Sequence, residues 1–267
     1  MGLHVRLAGK KGGILDKIRD TLVTGRPTFG SWIAIADSVA AEVLGKAGYD
    51  WAILDTQHGG VGWDDLLPML QALDLGGTAG LVRTGWNDAA QIMRALDLGA
   101  AGVIVPMVST PEQALAAAQA VRYPPHGIRS FGPVRNYYAA SGAAPREPLC
   151  FVMIETAEAM DNLDAITATP GVDGLFVGPV DLALSLGLGP ALTMPEQVFS
   201  AIGDVIAACQ RHGKIPGAAA LGLANAQALA GHGLKFITIS SDIGLLRRGA
   251  AADLSQARSW PNQTQQG

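Results

Sequence analysis

The chain has 267 residues, of which 49% are hydrophobic and 16% charged, and its formal net charge is −4 at pH 7. This length and composition allow one large core of the size of an α/β barrel, and the charge gives no basic surface of the kind that nucleic acids or anionic membranes attract. The two cysteines, Cys150 and Cys209, lie in apolar segments, which predicts buried reduced thiols and favours a cytoplasmic protein.

Apolar strand candidates recur at intervals of roughly 20–30 residues, the spacing of successive βα units. They are residues 29–35, 51–54, 79–82, 102–105, 150–154, 174–177, 215–218 and 236–239. A short amphipathic helix precedes them, and helical patterns alternate with them: residues 12–24, 37–46, 63–75, 88–98, 111–122, 157–168, 195–212, 221–230 and 242–257. This alternation predicts a (β/α)8 TIM barrel with a short N-terminal helix, and a doubly wound open sheet is the alternative.

No change in composition marks a domain boundary, so we expect a single barrel domain over residues 1–258 and a flexible polar tail over 259–267. The longest segment without a pattern, residues 123–148, is rich in Pro, Gly and Arg and predicts a functional βα loop. The N-terminus lacks the apolar core of a signal peptide. The apolar stretch 215–231 is interrupted by Pro216 and several glycines, so we expect no membrane-spanning segment.

An ionisable residue lies at or shortly after the carboxyl end of four predicted strands. Asp55 and Arg83 follow the second and third strands, and Glu155 and Asp181 follow the fifth and sixth. Each acid alone could simply cap the next helix. Because the carboxyl ends of parallel strands meet at one face, and this face holds the active site of barrel enzymes, the four residues together predict a functional site.

The residue types at this face indicate a chemistry. Glu155 and Asp181 offer the oxygen ligands that hard divalent cations prefer. Arg83 can donate a forked pair of hydrogen bonds to an oxyanion. His58, on a loop bounded by glycine, can exchange protons near neutral pH, although on its own it could equally be a surface loop histidine. A metal, a cation and a base suit a reaction through an enolate.

Two other chemistries are disfavoured. Lys214 and Lys235 lie at strand starts, and the remaining lysines precede the barrel or lie in its first helix, so no lysine is positioned to form a Schiff base at the carboxyl face. The chain also lacks a GxGxxG fingerprint and a Walker A loop, which argues against a nucleotide cofactor.

Several segments resemble, in order along residues 14–250, the 4-hydroxy-2-oxoheptanedioate aldolase family of class II pyruvate aldolases, which includes 2-dehydro-3-deoxyglucarate aldolase-like enzymes of the phosphoenolpyruvate/pyruvate superfamily. The segments are GSWI (30–33), DTQHG (55–59), VRTGWND (82–88), VPMV (105–108), IETAEA (154–159) and GVDGLFVGPVDLALSLG (171–187). The resemblance implies a metal-dependent (β/α)8 lyase that reversibly cleaves a 4-hydroxy-2-oxoacid to pyruvate, or a close 2-oxoacid, and an aldehyde through a stabilised enolate. It also implies a homohexamer, a dimer of trimers or trimer of dimers, with C-terminal helices exchanged between paired subunits.

Carried over by position, the resemblance implies that Glu155 and Asp181 bind Mg²⁺, Mn²⁺ or Co²⁺, which pyruvate chelates. Arg83 would contact the keto oxygen and stabilise the enolate. Backbone N–H groups around Val180 and Asp181 would bind the substrate carboxylate, and Trp32 would line the pocket.

The same resemblance makes His58 the proton-transfer base, hydrogen-bonded to Asp97 on the helix that follows Arg83, with Asp55 orienting this network. Two positions depart from many relatives, because Gln57 stands where they have Glu and Met153 where they have Gln. The alternative is a related lyase that acts on another enolate donor, such as an acyl-CoA thioester or oxaloacetate. A non-catalytic binding protein is disfavoured, because it would not need the acids, Arg83 and His58 together.

Overall fold

The structure is a computed structural model that describes residues 18, 20–22, 24–132, 135, 147–190 and 193–260. In these residues eight parallel strands form a closed barrel, because each strand pairs with the next and the first also pairs with the eighth. This closure confirms the predicted (β/α)8 barrel and excludes the open sheet. The strands are β1 (Thr28–Ile33), β2 (Trp51–Asp55), β3 (Ala79–Arg83), β4 (Gly102–Val105), β5 (Leu149–Ile154), β6 (Gly174–Val177), β7 (Ile215–Ala219) and β8 (Phe236–Ser241).

Helices lie between the strands, outside the barrel. Within the described residues they are α1 (Ser38–Lys46), α2 (Trp63–Gly76), α3 (Ala89–Asp97), α4 (Pro111–Val121), α5 (Ala157–Asp161), α6 (Leu163–Ala168), α7 (Pro179–Ser185), α8 (Glu196–His212), α9 (Leu223–Gly231) and α10 (Asp242–Arg258). The helix predicted over 157–168 is divided at Asn162, whose side-chain amide donates to Ser109 O at 2.9 Å. The short helix α7 was not predicted.

Aromatic side chains fill the inside of the barrel. Trp51 stacks on Phe236 with a centroid distance of 3.6 Å, and Phe151 stacks on the same ring at 4.5 Å. Gly30 leaves room for the Trp51 indole, since a Cβ at position 30 would lie 2.1 Å from it. Ile18 is buried in the same cluster. The interior is therefore a packed core rather than a channel, which restricts a binding site to the rim.

The segment 123–148 does not lie where the sequence suggested. It follows α4 and precedes β5, so it connects a helix to a strand at the amino-terminal end of the barrel. The prediction of a functional βα loop at the carboxyl face is therefore wrong. Residues 133–134 and 136–146 of this segment, most of the helix predicted over 12–24, and residues 261–267 of the predicted tail lie outside the described residues. No helix of the described part is long and apolar enough to cross a membrane.

Candidate active site

The carboxyl ends of the strands bring together the ionisable residues singled out in the sequence. Asp55 and Arg83 are the last residues of β2 and β3, which are hydrogen-bonded neighbours with Asp55 opposite Arg83. Glu155 directly follows β5, and Asp181 lies in the first turn of α7 after β6. All four therefore border the same rim of the barrel.

Asp55 holds Arg83 and Trp32 in place. Its Oδ1 and Oδ2 accept hydrogen bonds from Arg83 Nε at 2.9 Å and Nη2 at 2.6 Å, and Oδ2 also accepts from Trp32 Nε1 at 3.0 Å. The guanidinium carbon lies 4.5 Å from the centroid of the Trp32 ring. Burial opposes ionisation of Asp55, but the hydrogen bonds and charge of Arg83 outweigh it and keep the pKa of this carboxyl below its ordinary value. One edge of the guanidinium is thus committed to Asp55, which leaves Nη1 for other partners.

Glu155 is 2% exposed, and only one of its two oxygens is hydrogen-bonded. Oε1 accepts the backbone N–H of Met107 at 2.6 Å, whereas Oε2 is buried with no hydrogen-bond partner among the described residues. Gly178 makes room for this oxygen, because a Cβ at position 178 would lie 2.6 Å from Glu155 Oε2. Thr156, not Glu155, caps α5. The helix-cap alternative for Glu155 is therefore wrong.

The environment of Glu155 connects the two carboxylates and the arginine in one electrostatic cluster. The pKa of Glu155 is raised from 4.5 to about 6, chiefly by burial and in smaller part by the negative charge of Asp181, while the Met107 N–H and the Arg83 cation act in the opposite direction. Glu155 therefore lies close enough to interact with both Asp181 and Arg83. Burying one carboxylate beside another is unfavourable unless a bound cation or a proton compensates their negative charge.

This arrangement fits a divalent metal. The Glu155 Oε2, which has no partner among the described residues, and the nearby carboxylate of Asp181 offer hard oxygen ligands, and the missing Cβ at Gly178 leaves room for Oε2. Within the described residues no group of three or more His, Cys, Asp or Glu side chains forms a candidate metal cage. Two carboxylates fill only part of the coordination sphere of a divalent cation, whose other positions water and substrate can fill.

The raised pKa of Glu155 predicts a pH dependence of the metal-free protein. Since the folded state holds a proton on Glu155 more tightly than the unfolded state, the stability that this proton gives is complete below pH 4.5 and is lost as the pH rises through about 6. The measured quantity is the difference in unfolding free energy, wild type minus Glu155→Gln. We expect this difference to fall by about 2 kcal/mol over this pH range. Urea unfolding of both proteins in chelator measures it. A difference that is flat or rises with pH would contradict the assignment.

Two further predicted residues lie near the cluster without joining it through their side chains. His58 is exposed on the loop after β2, and its backbone N–H donates to Asp55 Oδ1 at 3.3 Å. Val180 precedes Asp181 in the first turn of α7, where backbone N–H groups have no partner within the helix. Their roles in proton transfer and carboxylate binding stay predictions.

The predicted hydrogen bond between His58 and Asp97 is not formed within the described chain. Asp97 is the last residue of α3, a helix that runs back to the amino-terminal end of the barrel, and β4 begins soon after it. There Asp97 Oδ1 accepts from Arg129 Nη2 at 2.9 Å, and Arg129 packs over the Tyr123 ring. Within one chain, the barrel separates Asp97 from the rim that holds His58.

The described lysines all lie away from this rim. Lys214 and Lys235 precede β7 and β8, and their amino groups donate to the backbone carbonyls of Val172 and Gly25. Lys46 ends α1 and pairs with Glu42. The positions of these three lysines agree with the prediction. Lys10, Lys11 and Lys17 lie outside the described residues.

Three features of the site were not predicted. Met107 has a positive φ of 56°, an unusual conformation that turns its N–H toward Glu155, and no sequence signal marks it. The second feature is the helix α7, which begins with Pro at its first position. The dipeptide Gly178–Pro179 is the sequence signal that could have located the start of this helix after β6. Asp242 follows β8 as the other acids follow their strands. It accepts hydrogen bonds from Ala34 N at 2.9 Å and Ile35 N at 2.8 Å and so joins β8 to the end of β1.

Comparisons with known proteins identify the family of this chain. The sequence profile of the HpcH/HpaI aldolase/citrate lyase family matches residues 28–249. A relative from Rhizorhabdus wittichii, named hydroxypyruvate/pyruvate aldolase, is 37% identical over 250 residues, which cover 92% of this chain and 100% of the relative. A relative from Klebsiella pneumoniae, named 5-keto-4-deoxy-D-glucarate aldolase, is 40% identical over 242 residues, which cover 87% of this chain and 93% of the relative.

A solved structure agrees as well. The crystal structure of an HpcH/HpaI aldolase/citrate lyase family protein from Burkholderia cenocepacia superposes with a TM-score of 0.82 at 32% identity and covers 92% of this chain and 99% of its own. The matched region contains all eight strands and every predicted site residue. The chain therefore belongs to the HpcH/HpaI aldolase/citrate lyase family and is a carbon–carbon lyase of the aldolase type.

Proposed function

We propose that this lyase is metal-dependent and reversibly cleaves a 4-hydroxy-2-oxoacid into pyruvate, or a close 2-oxoacid, and an aldehyde. One observation carries the proposal. The buried Glu155, with its free Oε2, interacts with both Asp181 and Arg83 at the rim of the barrel. The test is release of pyruvate from a 4-hydroxy-2-oxoacid by chelator-treated protein before and after addition of Mg²⁺, Mn²⁺ or Co²⁺. Equal release under both conditions would refute the metal dependence.

Glu155 and Asp181 are the residues that would hold the metal, which when bound would supply Lewis acidity toward the two oxygens of a 2-oxoacid. Arg83 donates a hydrogen bond from its uncommitted Nη1 to the oxygen that gains negative charge. Because Asp55 fixes the other edge of the guanidinium and Trp32 packs against its face, this donor is oriented before the reaction begins. The N–H groups of Val180 and Asp181 bind the carboxylate of the substrate.

His58 acts on the aldehyde side of the bond that breaks, where the substrate carries its 4-hydroxyl group. It accepts the proton of the 4-hydroxyl, the bond between carbons 3 and 4 breaks, and its electron pair passes to the pyruvate half as the enolate. Protonation at carbon 3 then completes pyruvate. His58 is exposed on a loop next to Asp55, so it can meet a substrate that enters the rim from solvent.

His58→Ala should impair cleavage more than it impairs exchange of the methyl protons of pyruvate, since exchange contains no 4-hydroxyl step. We expect a loss of about 10²–10⁴-fold in cleavage, the usual contribution of a general base. Pyruvate release, and deuterium incorporation into pyruvate by NMR, measure the two reactions side by side. Equal losses in both would show that His58 also serves enolisation.

The substrate class rests on the relatives. Their names include hydroxypyruvate/pyruvate aldolase and 5-keto-4-deoxy-D-glucarate aldolase, so we propose a small oxygenated acid as the substrate of this chain. Action on an acyl-CoA thioester or on oxaloacetate has weaker support. The two neighbouring structures named as a citrate lyase and a citrate lyase beta subunit are only 16–17% identical to this chain and share with it the fold alone.

We further propose that the chain functions as an oligomer, because α10 leaves apolar side chains exposed. Within this 17-residue helix only Asp242 is buried. Leu246 is 63% exposed and Leu254 50% exposed, and Trp260 just beyond the helix is 70% exposed. In proteins most of the stability of a helix comes from the packing of its apolar face rather than from intrinsic helix propensity. The exchange of C-terminal helices in a hexamer, implied by the resemblance, would cover this face.

An oligomer also offers a partner for His58. Asp97 lies at the amino-terminal end of its own barrel, so the contact expected between these residues can form only between copies. We therefore propose that Asp97 of a second copy orients His58. In this arrangement, assembly and proton transfer depend on each other.

Leu246→Glu should reduce the molar mass in solution, because it places a charge in the face that we propose to be covered. Light scattering coupled to size-exclusion chromatography measures the mass against the 27.5 kDa of one chain. Gln256→Glu on the same helix is the matched control and should keep the wild-type mass. A wild-type protein that runs as a monomer would refute the proposal.

We propose that the protein is cytoplasmic, and the state of its two cysteines supports this. Cys150 and Cys209 are both free and buried. Unpaired thiols suit the reducing conditions of the cytoplasm.

A further inference from the structure

Asp242 is a buried acid that the proposed mechanism does not use. In the described helix α10 it alone is buried, and it is 4% exposed. Ser241 caps this helix, because its hydroxyl accepts the N–H of Gly244 at 3.1 Å. The Asp242 carboxylate instead reaches another segment, where Oδ2 accepts the N–H groups of Ala34 at 2.9 Å and Ile35 at 2.8 Å. It therefore fixes the backbone just after β1.

The backbone that Asp242 fixes is in contact with the loop that carries His58. Ala34 O accepts the N–H of Gly60 at 2.8 Å. Gly59 packs closely on the same residue, since a Cβ at position 59 would lie 3.0 Å from Ala34 Cα. Ala34 therefore supports the loop on the side that follows His58.

His58 lies between two attachment points of its loop. On the amino side the attachment is Asp55, whose Oδ1 accepts the N–H groups of Gln57 at 3.1 Å and His58 at 3.3 Å. On the carboxyl side it is the hydrogen bond from Gly60 to Ala34. His58 itself is exposed, and an exposed side chain receives little support from packing. The position of the imidazole therefore depends on the backbone that carries it.

We propose that Asp242 is a positioning residue for His58. Its carboxylate fixes the backbone of residues 34–35, the Ala34 carbonyl holds the loop, and the loop sets the place of the imidazole relative to the substrate. This inference rests on the proposed function, in which His58 is the base in cleavage. A displacement of roughly 1 Å in a catalytic group can cost about 10²-fold in rate, so the support matters for a base on an exposed loop.

In the metal-loaded protein, Asp242→Ala should lower the kcat of aldol cleavage by about 10–10²-fold. Deuterium incorporation into pyruvate should stay within about twofold of wild type, because exchange contains no 4-hydroxyl step for His58. Asp242→Asn should keep most of the cleavage rate, since its amide oxygen can still accept the two N–H groups after β1.

Asp50→Ala is the matched control. Asp50 Oδ2 accepts the N–H of Phe29 at 2.9 Å near the start of β1, so this variant removes the same type of hydrogen bond at the opposite end of the strand. It should leave the ratio of cleavage to exchange at the wild-type value.

A double-mutant cycle separates action through His58 from a general effect on the fold. In His58→Ala the base is already absent, so adding Asp242→Ala should lower cleavage no further. Losses that multiply in the double variant would overturn the inference. Equal losses of cleavage and exchange in Asp242→Ala would also overturn it where the loss in His58→Ala is selective for cleavage.

Thermal unfolding verifies that each variant is folded. If Asp242→Ala is not, Gly59→Ala gives the same comparison, because its Cβ would displace the loop from Ala34. Full cleavage in His58→Ala would refute the proposed base. A selective loss in His58→Ala beside wild-type cleavage in Asp242→Ala would refute only the role of Asp242.

Discussion

Glu155→Gln should abolish aldol cleavage, with a loss of at least about 10³-fold in kcat/KM, because a Lewis-acid metal contributes several kcal/mol to the stabilisation of developing charge. Glutamine keeps the size of the side chain and can still accept the Met107 N–H at Oε1. It removes the negative charge from Oε2, which is buried and has no hydrogen-bond partner in the part of the chain that the structure describes. The fold should therefore persist while metal binding is lost. Asp181→Asn should have the same effect on metal binding and cleavage.

A matched control lies one turn away. Glu158 is exposed on α5, so Glu158→Gln removes the same charge without touching the cluster and should keep wild-type cleavage. Isothermal titration with Mn²⁺ measures metal binding directly. Wild-type affinity for Mn²⁺ in Glu155→Gln would show that Glu155 is not a ligand, and full cleavage in that variant would remove it from the mechanism.

Arg83→Ala should lower both cleavage and pyruvate proton exchange by about 10²–10³-fold, the usual effect of losing one donor to a developing oxyanion. The two reactions share the enolate, so they should fall together, in contrast to the loss in His58→Ala. Arg83→Lys should recover little. The Arg83 guanidinium donates to Asp55 from Nε and Nη2 and keeps Nη1 for the substrate. The ammonium group of a lysine is a single point of contact and cannot reach both Asp55 and the substrate.

The Arg83 variants need a stability control, because removing one partner of a buried ion pair costs about 3–5 kcal/mol. Arg122 supplies it. Its Nη2 pairs with Asp173 Oδ2 at 2.7 Å at the amino-terminal end of the barrel, and its side chain is as buried as that of Arg83. Arg122→Lys should lower the melting temperature and keep the kcat/KM of the folded protein. If Arg83→Ala, once folded, exchanges pyruvate protons at the wild-type rate, Arg83 has no role in stabilising the enolate.

The barrel and the rim residues could be predicted because their signals are local. Each strand is a short apolar run, and the residue after it must lie at the rim once the strands are parallel. Asp55, Arg83 and Glu155 follow from this rule alone. Asp242 obeys the same rule, yet its carboxylate binds the backbone after β1. The rule therefore locates side chains but does not separate a catalytic acid from a structural one.

The remaining features depend on contacts between distant segments. The Met107 N–H reaches Glu155 from 48 positions away, through a backbone conformation that methionine does not favour. The segment 123–148 was placed at the wrong end, because its composition does not reveal whether it follows a strand or a helix.

Incorporation of solvent deuterium into the methyl group of pyruvate tests the central claim most directly, because it isolates formation of the enolate from every step that involves the aldehyde. The account predicts no incorporation by chelator-treated wild type and full recovery when Mg²⁺, Mn²⁺ or Co²⁺ is added. It also predicts no recovery in Glu155→Gln at the same metal concentration. Incorporation at the full rate by metal-free wild type would contradict the account.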